Sequence, residues 1–216
     1  MKLLILAANG QIARIVEHRI LNESKFADVQ LTLGLRRPER LAALSRNPRV
    51  HLLDVDLESP QSVAAAVAGQ DLVFVAVVDH DRDNAMTKNV IGAMQQHHVA
   101  RVIFTNILGL YNEVPGEFGR WNLVQVRAGL AAAQRSDQLL ADSGLTYTTL
   151  RLPWLNDRPE VRYTVTSRSE PYVGVSGSRQ SVADVVLRIV ADPGFAANNS
   201  IGMADPATQG EDRPVY

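Results

Sequence analysis

Residues 3–14, LLILAANGQIAR, run an unbroken apolar stretch directly into a glycine turn and then into a helix-spaced segment. The apolar run at residues 3–7 suits a strand buried on both faces. Ile12, Ile15, Val16 and Ile20 recur at the spacing of one helix face. Gly10, between them, is expected to take backbone angles closed to other residues and to let an anion approach the main chain. The free N–H groups from Gln11 onward, with the helix dipole, would attract that anion. Ala13 is small enough for the helix to sit close to the sheet. Ala7 stands where a G-x-x-G-x-x-G turn has its first glycine, so the motif reads A-x-x-G-x-x-A. With one glycine, these residues alone fit a plain structural turn as well as a pyrophosphate-binding one.

The same alternation continues down the chain. Strands are predicted at residues 28–35, 50–55, 71–78, 101–105 and 146–152. Helices are predicted at 38–44, 59–67, 84–98 and 123–143, with a loop at 107–122. Strands alternating with helices predict an α/β fold, a Rossmann-type doubly wound parallel sheet. Past Pro153 the rhythm changes. Residues 161–166 read as an edge strand, 172–175 as a possible second, 181–191 as a helix and 200–203 as a last strand. Residues 1–216 are therefore read as one domain. About 153–203 form a substrate-side portion, and 205–216 are expected to be a loose polar tail.

The end of strand two sharpens the reading of the turn. A dinucleotide domain places an acid there for a ribose 2′-hydroxyl, or an arginine for a 2′-phosphate. Here the chain reads Gly34-Leu35-Arg36-Arg37, with no acid. Planar guanidinium groups suit a phosphate, and one can stack on a base. A solvated basic loop would look the same, but turn and arginine pair stand one βαβ unit apart. Together they point to NADP(H) over NAD(H).

Six segments carry a family resemblance: LLILAANGQIAR, LGLRRPERL, Asp56-Leu57, RVIFTNILGLYNEVPGEFGRW, SGLTYTTLRLPWL and SRQSVADVVLRIV. Over residues 1 to about 203 the chain resembles an atypical short-chain dehydrogenase/reductase of the NmrA-like, NAD(P)-binding group. The resemblance implies cofactor contacts at Asn9, Gly10, Gln11, Ile12, Arg36, Arg37, Asp56 and Leu57. It extends them to Ala76, Val77, Thr105 and Asn106, and places Pro153 and Trp154 near the nicotinamide. All of these fall at carboxyl ends of predicted parallel strands, where open α/β sheets bind ligands.

The wider superfamily uses a tyrosine and a lysine four residues apart. Four residues after Tyr111, Tyr147, Tyr163 and Tyr172 stand Pro115, Arg151, Ser167 and Ser176, and the three lysines are Lys2, Lys25 and Lys88. No Y-x-x-x-K exists, and Thr105-Asn106-Ile107 stands where a serine is expected. Two readings stay open. One is an NADPH-dependent reductase of a conjugated acceptor such as a quinone or flavin, which can take its proton from solvent, with positioning supplying much of the rate. Trp154, Trp121 and Tyr111 could line its pocket, and Tyr111 is the one tyrosine placed to donate a proton. The other is a non-catalytic NADP(H)-sensing regulator.

Other classes are poorly supported. The net charge of −1 offers no basic footprint for nucleic acid. The absence of cysteine removes disulfides, thiolate catalysis and Cys-based metal sites. The apolar run at the N-terminus is too short for a signal peptide, and no segment approaches a membrane span, so a soluble cytoplasmic protein is expected. Asp79, His80, Asp81 and Asp83 lack a second group at ligand spacing, so no metal is expected and helix capping is the simpler role. His97-His98 suits a helix end. Arg151 is expected to be buried against an acid. The Ser-Asp pairs at 136–137 and 142–143 lack a histidine for hydrolase chemistry.

Overall fold

The computed structural model describes all 216 residues. Eight strands form one sheet in the order β3-β2-β1-β4-β5-β6-β10-β8. They are β1 (Lys2–Leu6), β2 (Gln30–Leu35), β3 (Val50–Asp54), β4 (Leu72–Val75), β5 (Arg101–Ile107), β6 (Thr146–Leu152), β8 (Thr164–Thr166) and β10 (Asn199–Ala204). All pairings are parallel except β10 with β8. The short strands β7 (Trp154–Asn156) and β9 (Ser176–Ser178) pair separately. This is the doubly wound Rossmann architecture that the alternation predicted.

Two apolar layers flank the sheet. Helices α1 (Gln11–Asn22) and α6 (Arg179–Ala191) pack together on one face, over Leu3, Ile5, Leu31, Leu33, Phe74 and Ile103. Helices α2 (Pro60–Val67), α3 (Ala85–Gln96) and α5 (Leu130–Asp142) cover the other, over Leu4, Leu6, Val73, Val75 and Phe104. Successive strand residues point to opposite faces, so consecutive apolar residues such as Leu3-Leu4-Ile5-Leu6 supply both layers. Helix α2 begins as its sequence directs: Ser59 caps it by accepting from the Ser62 N–H at 3.3 Å, and Pro60 opens its first turn.

Four expectations are corrected. The predicted long helix at 123–143 is two helices, α4 (Gly116–Val126) and α5, and α4 begins inside the predicted loop at 107–122. The Gly129 N–H turns back to the Val126 carbonyl at 3.0 Å, and a glycine interior to a helix is unfavourable enough to yield to that turn. Gly119 is obligatory within α4, because a Cβ there would lie 2.0 Å from the Val114 carbonyl oxygen. The strand sought at 172–175 lies at 176–178 instead, since Tyr172 is spent filling the space beside Gly202. Strand β7 was not foreseen.

The fourth concerns the tail, which is tied down. The Thr208 hydroxyl accepts from the N–H groups of Val175 and Ser176 at 2.8 and 3.2 Å and donates to the Asp205 carbonyl at 2.7 Å. The Val215 N–H donates to Ser176 Oγ at 2.8 Å, and Asn156 Nδ2 donates to the Val215 carbonyl at 3.0 Å. Thr208 and Gln209 are polar because their side chains accept from main chain at Gly174, Val175 and Ser176, while the Val215 main chain is held by the Ser176 and Asn156 side chains.

Candidate functional site

The chain leaves β1, builds β2 and β3 to one side, and returns to place β4 on the other. That reversal opens a crevice at the carboxyl ends of β1 and β4, the general ligand position in such sheets. A cavity of about 670 Å³ lies there. Ala7, Asn9 and Gly10 from the β1 exit and Ala76 and Val77 from the β4 exit form its floor; Arg36, Arg37 and Arg40 stand at the β2 exit, with Asp56, Leu57 and Glu58 after β3. It thus gathers eight of the expected contact residues.

The turn works differently from the sequence expectation. Gly10 has φ −67°, ordinary extended backbone, and the left-handed residue is Ala7 at φ 59°. The strain sits at the position where the usual motif has its first glycine. A Cβ at Gly10 would make ordinary contact with the protein, 3.4 Å from the Ala7 carbonyl oxygen and 3.6 Å from that of Ala76, so the glycine serves the open side of the turn. Helix α1 starts with no side-chain cap and no acid in its first turn. The N–H groups of its first turn, which include those of Gln11 and Ile12, have no helical carbonyl to bond. They lie one residue beyond Gly10 of the cavity wall, at the positive end of the dipole.

The β2 exit is cationic. Arg36, Arg37 and Arg40 are exposed, and none pairs with a carboxylate within 4.0 Å. Arg37 holds φ 63° and caps a 3-10 helix over Pro38–Arg46, which brings Arg40 one turn further along the same wall. Arg40 is not among the contacts expected from sequence; its three-residue spacing from Arg37 is the signal the sequence holds for it. Of the two acids in the cavity wall, Asp56 is occupied in its own turn, accepting from the Glu58 N–H at 3.0 Å.

Gln11, Ile12, Thr105, Asn106, Pro153 and Trp154 are not in the cavity wall. Thr105 and Asn106 are buried at the end of β5, where Asn106 donates to the Ala133 carbonyl at 3.0 Å and accepts from the Ile107 N–H at 2.8 Å. Pro153 is buried beneath Gly177, and Trp154 is half-buried at the β6 exit. The indole N–H of Trp154 donates to Asn122 Oδ1 at 2.9 Å, and its ring lies 4.7 Å from that of Trp121.

Tyr111 lies partly exposed in the loop after β5, with its hydroxyl donating to Asp137. Burial, and then that carboxylate, push its pKa up. Its ring rests 5.4 Å from the Arg151 guanidinium, which is buried against Glu113 as a strand arginine facing an acid. Lys2 and Lys25 lie at the opposite end of the sheet, and Lys88 points outward from α3, so no lysine accompanies Tyr111. Asp79 accepts from the Thr87 N–H and hydroxyl at 2.9 and 2.6 Å, and Asp81 from the Ala85 N–H at 2.9 Å, which accounts for this acidic run as the start of α3. No group of three His, Asp or Glu side chains is arranged to hold a metal ion, and no helix is long and apolar enough to cross a membrane.

Comparison with known proteins agrees with this geometry. A short-chain dehydrogenase/reductase from Veillonella parvula in complex with NADP is 25% identical, with a TM-score of 0.89 over 100% of this chain and 99% of that one. A Rossmann-fold NAD(P)-binding family protein from Shigella flexneri is 31% identical, with a TM-score of 0.77 over 100% of this chain and 98% of that one. An anaerobillin reductase from Escherichia coli O157:H7 shares the fold at 16% identity, with a TM-score of 0.78 over 98% of this chain and 100% of that one. No curated protein sequence matches. The sequence model of the NAD(P)H-binding family matches residues 7–193, and with the crevice, the bare helix start and the arginine wall in place, the chain belongs to the NAD(P)H-binding family.

Proposed function

We propose that the protein binds NADP(H) in the β1/β4 crevice and reduces a small conjugated acceptor without a tyrosine–lysine relay. The observation that carries the cofactor choice is the wall of Arg36, Arg37 and Arg40, free of carboxylate partners, at the β2 exit. A 2′-phosphate brings a charge that guanidinium groups meet bidentately. The relative crystallised with NADP supports the same choice.

The residues fit the group. The N–H groups at the start of α1 would hold the pyrophosphate, Asn9 and Gly10 let it approach the main chain, and Leu57, Ala76 and Val77 offer apolar contact to the adenosine half. When bound, NADPH supplies a hydride. The protein's part is to fix the cofactor and to present an acceptor at the β5 and β6 exits, where Trp154 and Trp121 stand. An acceptor that delocalises charge takes its proton from water, so the absent lysine is no obstacle.

The missing Tyr-Lys pair also supports a second reading, a non-catalytic NADP(H)-sensing protein of the NmrA-like type. One experiment separates them. Cofactor affinities are measured by calorimetry, and NADPH oxidation is followed against quinones, flavins and dicarbonyls. Selective NADP(H) binding with turnover is expected. Selective binding without turnover on any acceptor moves the conclusion to the sensor, and tighter binding of NAD(H) overturns the cofactor choice.

A further inference from the structure

Both tryptophans of the chain stand in one place. Trp121 on α4 and Trp154 on β7 meet with ring centroids 4.7 Å apart and planes at 54°, and Phe118 stacks behind Trp121 at 6.0 Å. The platform is fixed from beneath. Asn122, fully buried, accepts the Trp154 indole N–H and donates to the Leu108 carbonyl at 3.2 Å. Both indoles are half-buried, seated on the small cluster of Leu108, Val114, Tyr172 and Val175. The platform is on the edge of the sheet that holds the cofactor crevice. From β1 it is three strands away along β1-β4-β5-β6, about 14 Å at the usual strand spacing.

The anchored tail brings a cation to this platform. Arg213 places its guanidinium 5.5 Å from the Trp121 ring centroid, and its only hydrogen bond is to the neighbouring Asp212 carbonyl at 2.6 Å. Two acids are close by: Glu117, which is engaged by Arg120, and Asp212, next to Arg213 in the chain; Arg213 forms an ion pair with neither. Arg120 and Glu117 pair with each other, so the Arg213 guanidinium is the cation of this rim left without a carboxylate partner. A planar ring can stack on the indoles, and a guanidinium already lying against an aromatic face can still offer its fork to a carboxylate or sulfonate.

We propose that the Trp121–Trp154 platform is the acceptor site and that Arg213 selects planar conjugated acceptors bearing an anionic substituent. This deepens the reductase reading and rests on it. Arg213 is a specificity residue supplied by the tail. Stacking provides sequence-independent affinity for the ring, and the guanidinium discriminates by charge.

Because the two tryptophans are both in the platform, indole emission reads ligand binding here, and the Arg213 variants localise it. The probes are anthraquinone-2-sulfonate and the uncharged 2-(hydroxymethyl)anthraquinone, titrated into protein saturated with NADP⁺ so that no turnover occurs. The sulfonate is expected to quench with a Kd at least tenfold lower. R213E is expected to remove that advantage while leaving the uncharged ring's Kd within twofold, and R213K to retain part of it. Equal affinities in the wild type, or an R213E variant that keeps the preference, overturn the proposal. NADPH oxidation is then measured with both quinones. Discrimination in binding without oxidation leaves the anionic-ring site standing and removes the reductase reading. Oxidation of both at equal kcat/KM, without discrimination in binding, does the reverse.

Discussion

Arg151 on β6 donates to Glu113 in the loop after β5, and the two side chains are 0% and 2% exposed. The pair is the hub of the β5–β6 end of the sheet. Arg151 also donates to the carbonyls of Thr166, Ser167 and Ser200 at 2.9–3.2 Å. Glu113 accepts from the N–H groups of Gly109 and Tyr111 at 3.1 and 2.9 Å, so one carboxylate shapes the loop that leads into α4. Removing either partner strands a buried charge. Glu113→Ala is expected to cost about 3–5 kcal/mol in urea unfolding. Arg151→Met combined with Glu113→Leu is expected to cost less than the two single changes added, because no charge is left behind.

Glu17 gives the protein a pH dependence of unusual sign. Its side chain is buried in α1, Oε2 meets Arg14, and Oε1 has no partner. Burial raises its pKa to about 8, against the lowering influence of Arg14. The unfolded chain releases this proton near the ordinary glutamate value, whereas the folded chain keeps it, so stability falls as pH rises from about 4.5 to 8. Glu17→Gln is expected to flatten that slope and to stabilise the protein by about 2 kcal/mol at pH 8, with little effect at pH 4.5. Thermal melts across this range check it. A wild-type Tm that rises over the interval, or an unchanged slope in the variant, would contradict the assignment.

Ala7 occupies the left-handed region at φ 59°, a conformation that costs a residue with a Cβ about 1–2 kcal/mol. Ala7→Gly releases that strain but adds unfolded-state freedom worth about 0.4–1 kcal/mol. A gain of up to about 1 kcal/mol is expected, with cofactor affinity kept. Ala7→Val is expected to lower both stability and affinity, since a branched side chain tolerates φ > 0 poorly. Urea unfolding and calorimetric titration on the two variants read this out.

The arginine wall predicts a selective loss. Replacing Arg36 and Arg37 together by alanine is expected to weaken NADP binding by about 10–100-fold, at 1.4 kcal/mol per tenfold, and to leave NAD binding within about threefold. The wild-type preference for NADP should also shrink as salt is raised, because these groups are exposed. Parallel titrations with both cofactors at low and high salt provide the measurement.

Thr208 holds the tail through three hydrogen bonds from one hydroxyl. Thr208→Val keeps the shape and leaves the buried N–H groups of Val175 and Ser176 without that acceptor. A loss of about 1–3 kcal/mol is expected in unfolding experiments. The quenching preference assigned to Arg213 should weaken in the same variant.

The parts of this fold that the sequence makes legible are those written in side-chain pattern. Consecutive apolar residues at the strands, helical spacing after them, and Arg36-Arg37 where an acid might stand identify the sheet, the crevice and its charge. What stays hidden is written in main-chain angles and long-range bonds. Nothing in the letters A-A-N-G reveals that Ala7 and not Gly10 carries the positive φ. Nothing near residue 208 shows that its hydroxyl serves main chain 32 and 33 residues earlier. Polar composition, read as looseness, was the complement of a row of unpaired main-chain groups on another segment. The break between α4 and α5 was visible as Gly129, and was outweighed by apolar spacing on either side.

The order of strands sets an order of assembly as well as a shape. All four strands around the crevice, β3-β2-β1-β4, lie within the first 75 residues. A nascent chain can therefore dock them before the far half of the sheet has left the ribosome. Strand β8 is in the opposite position: its only sheet partner is β10, made more than thirty residues later. Until β10 slots between β6 and β8, β6 presents a bare edge and β8 has nowhere to go. The last-made strand thus acts as a keystone, and a ribosome stalled before residue 199 would release a chain with its nucleotide crevice formed and an open, adhesive flank.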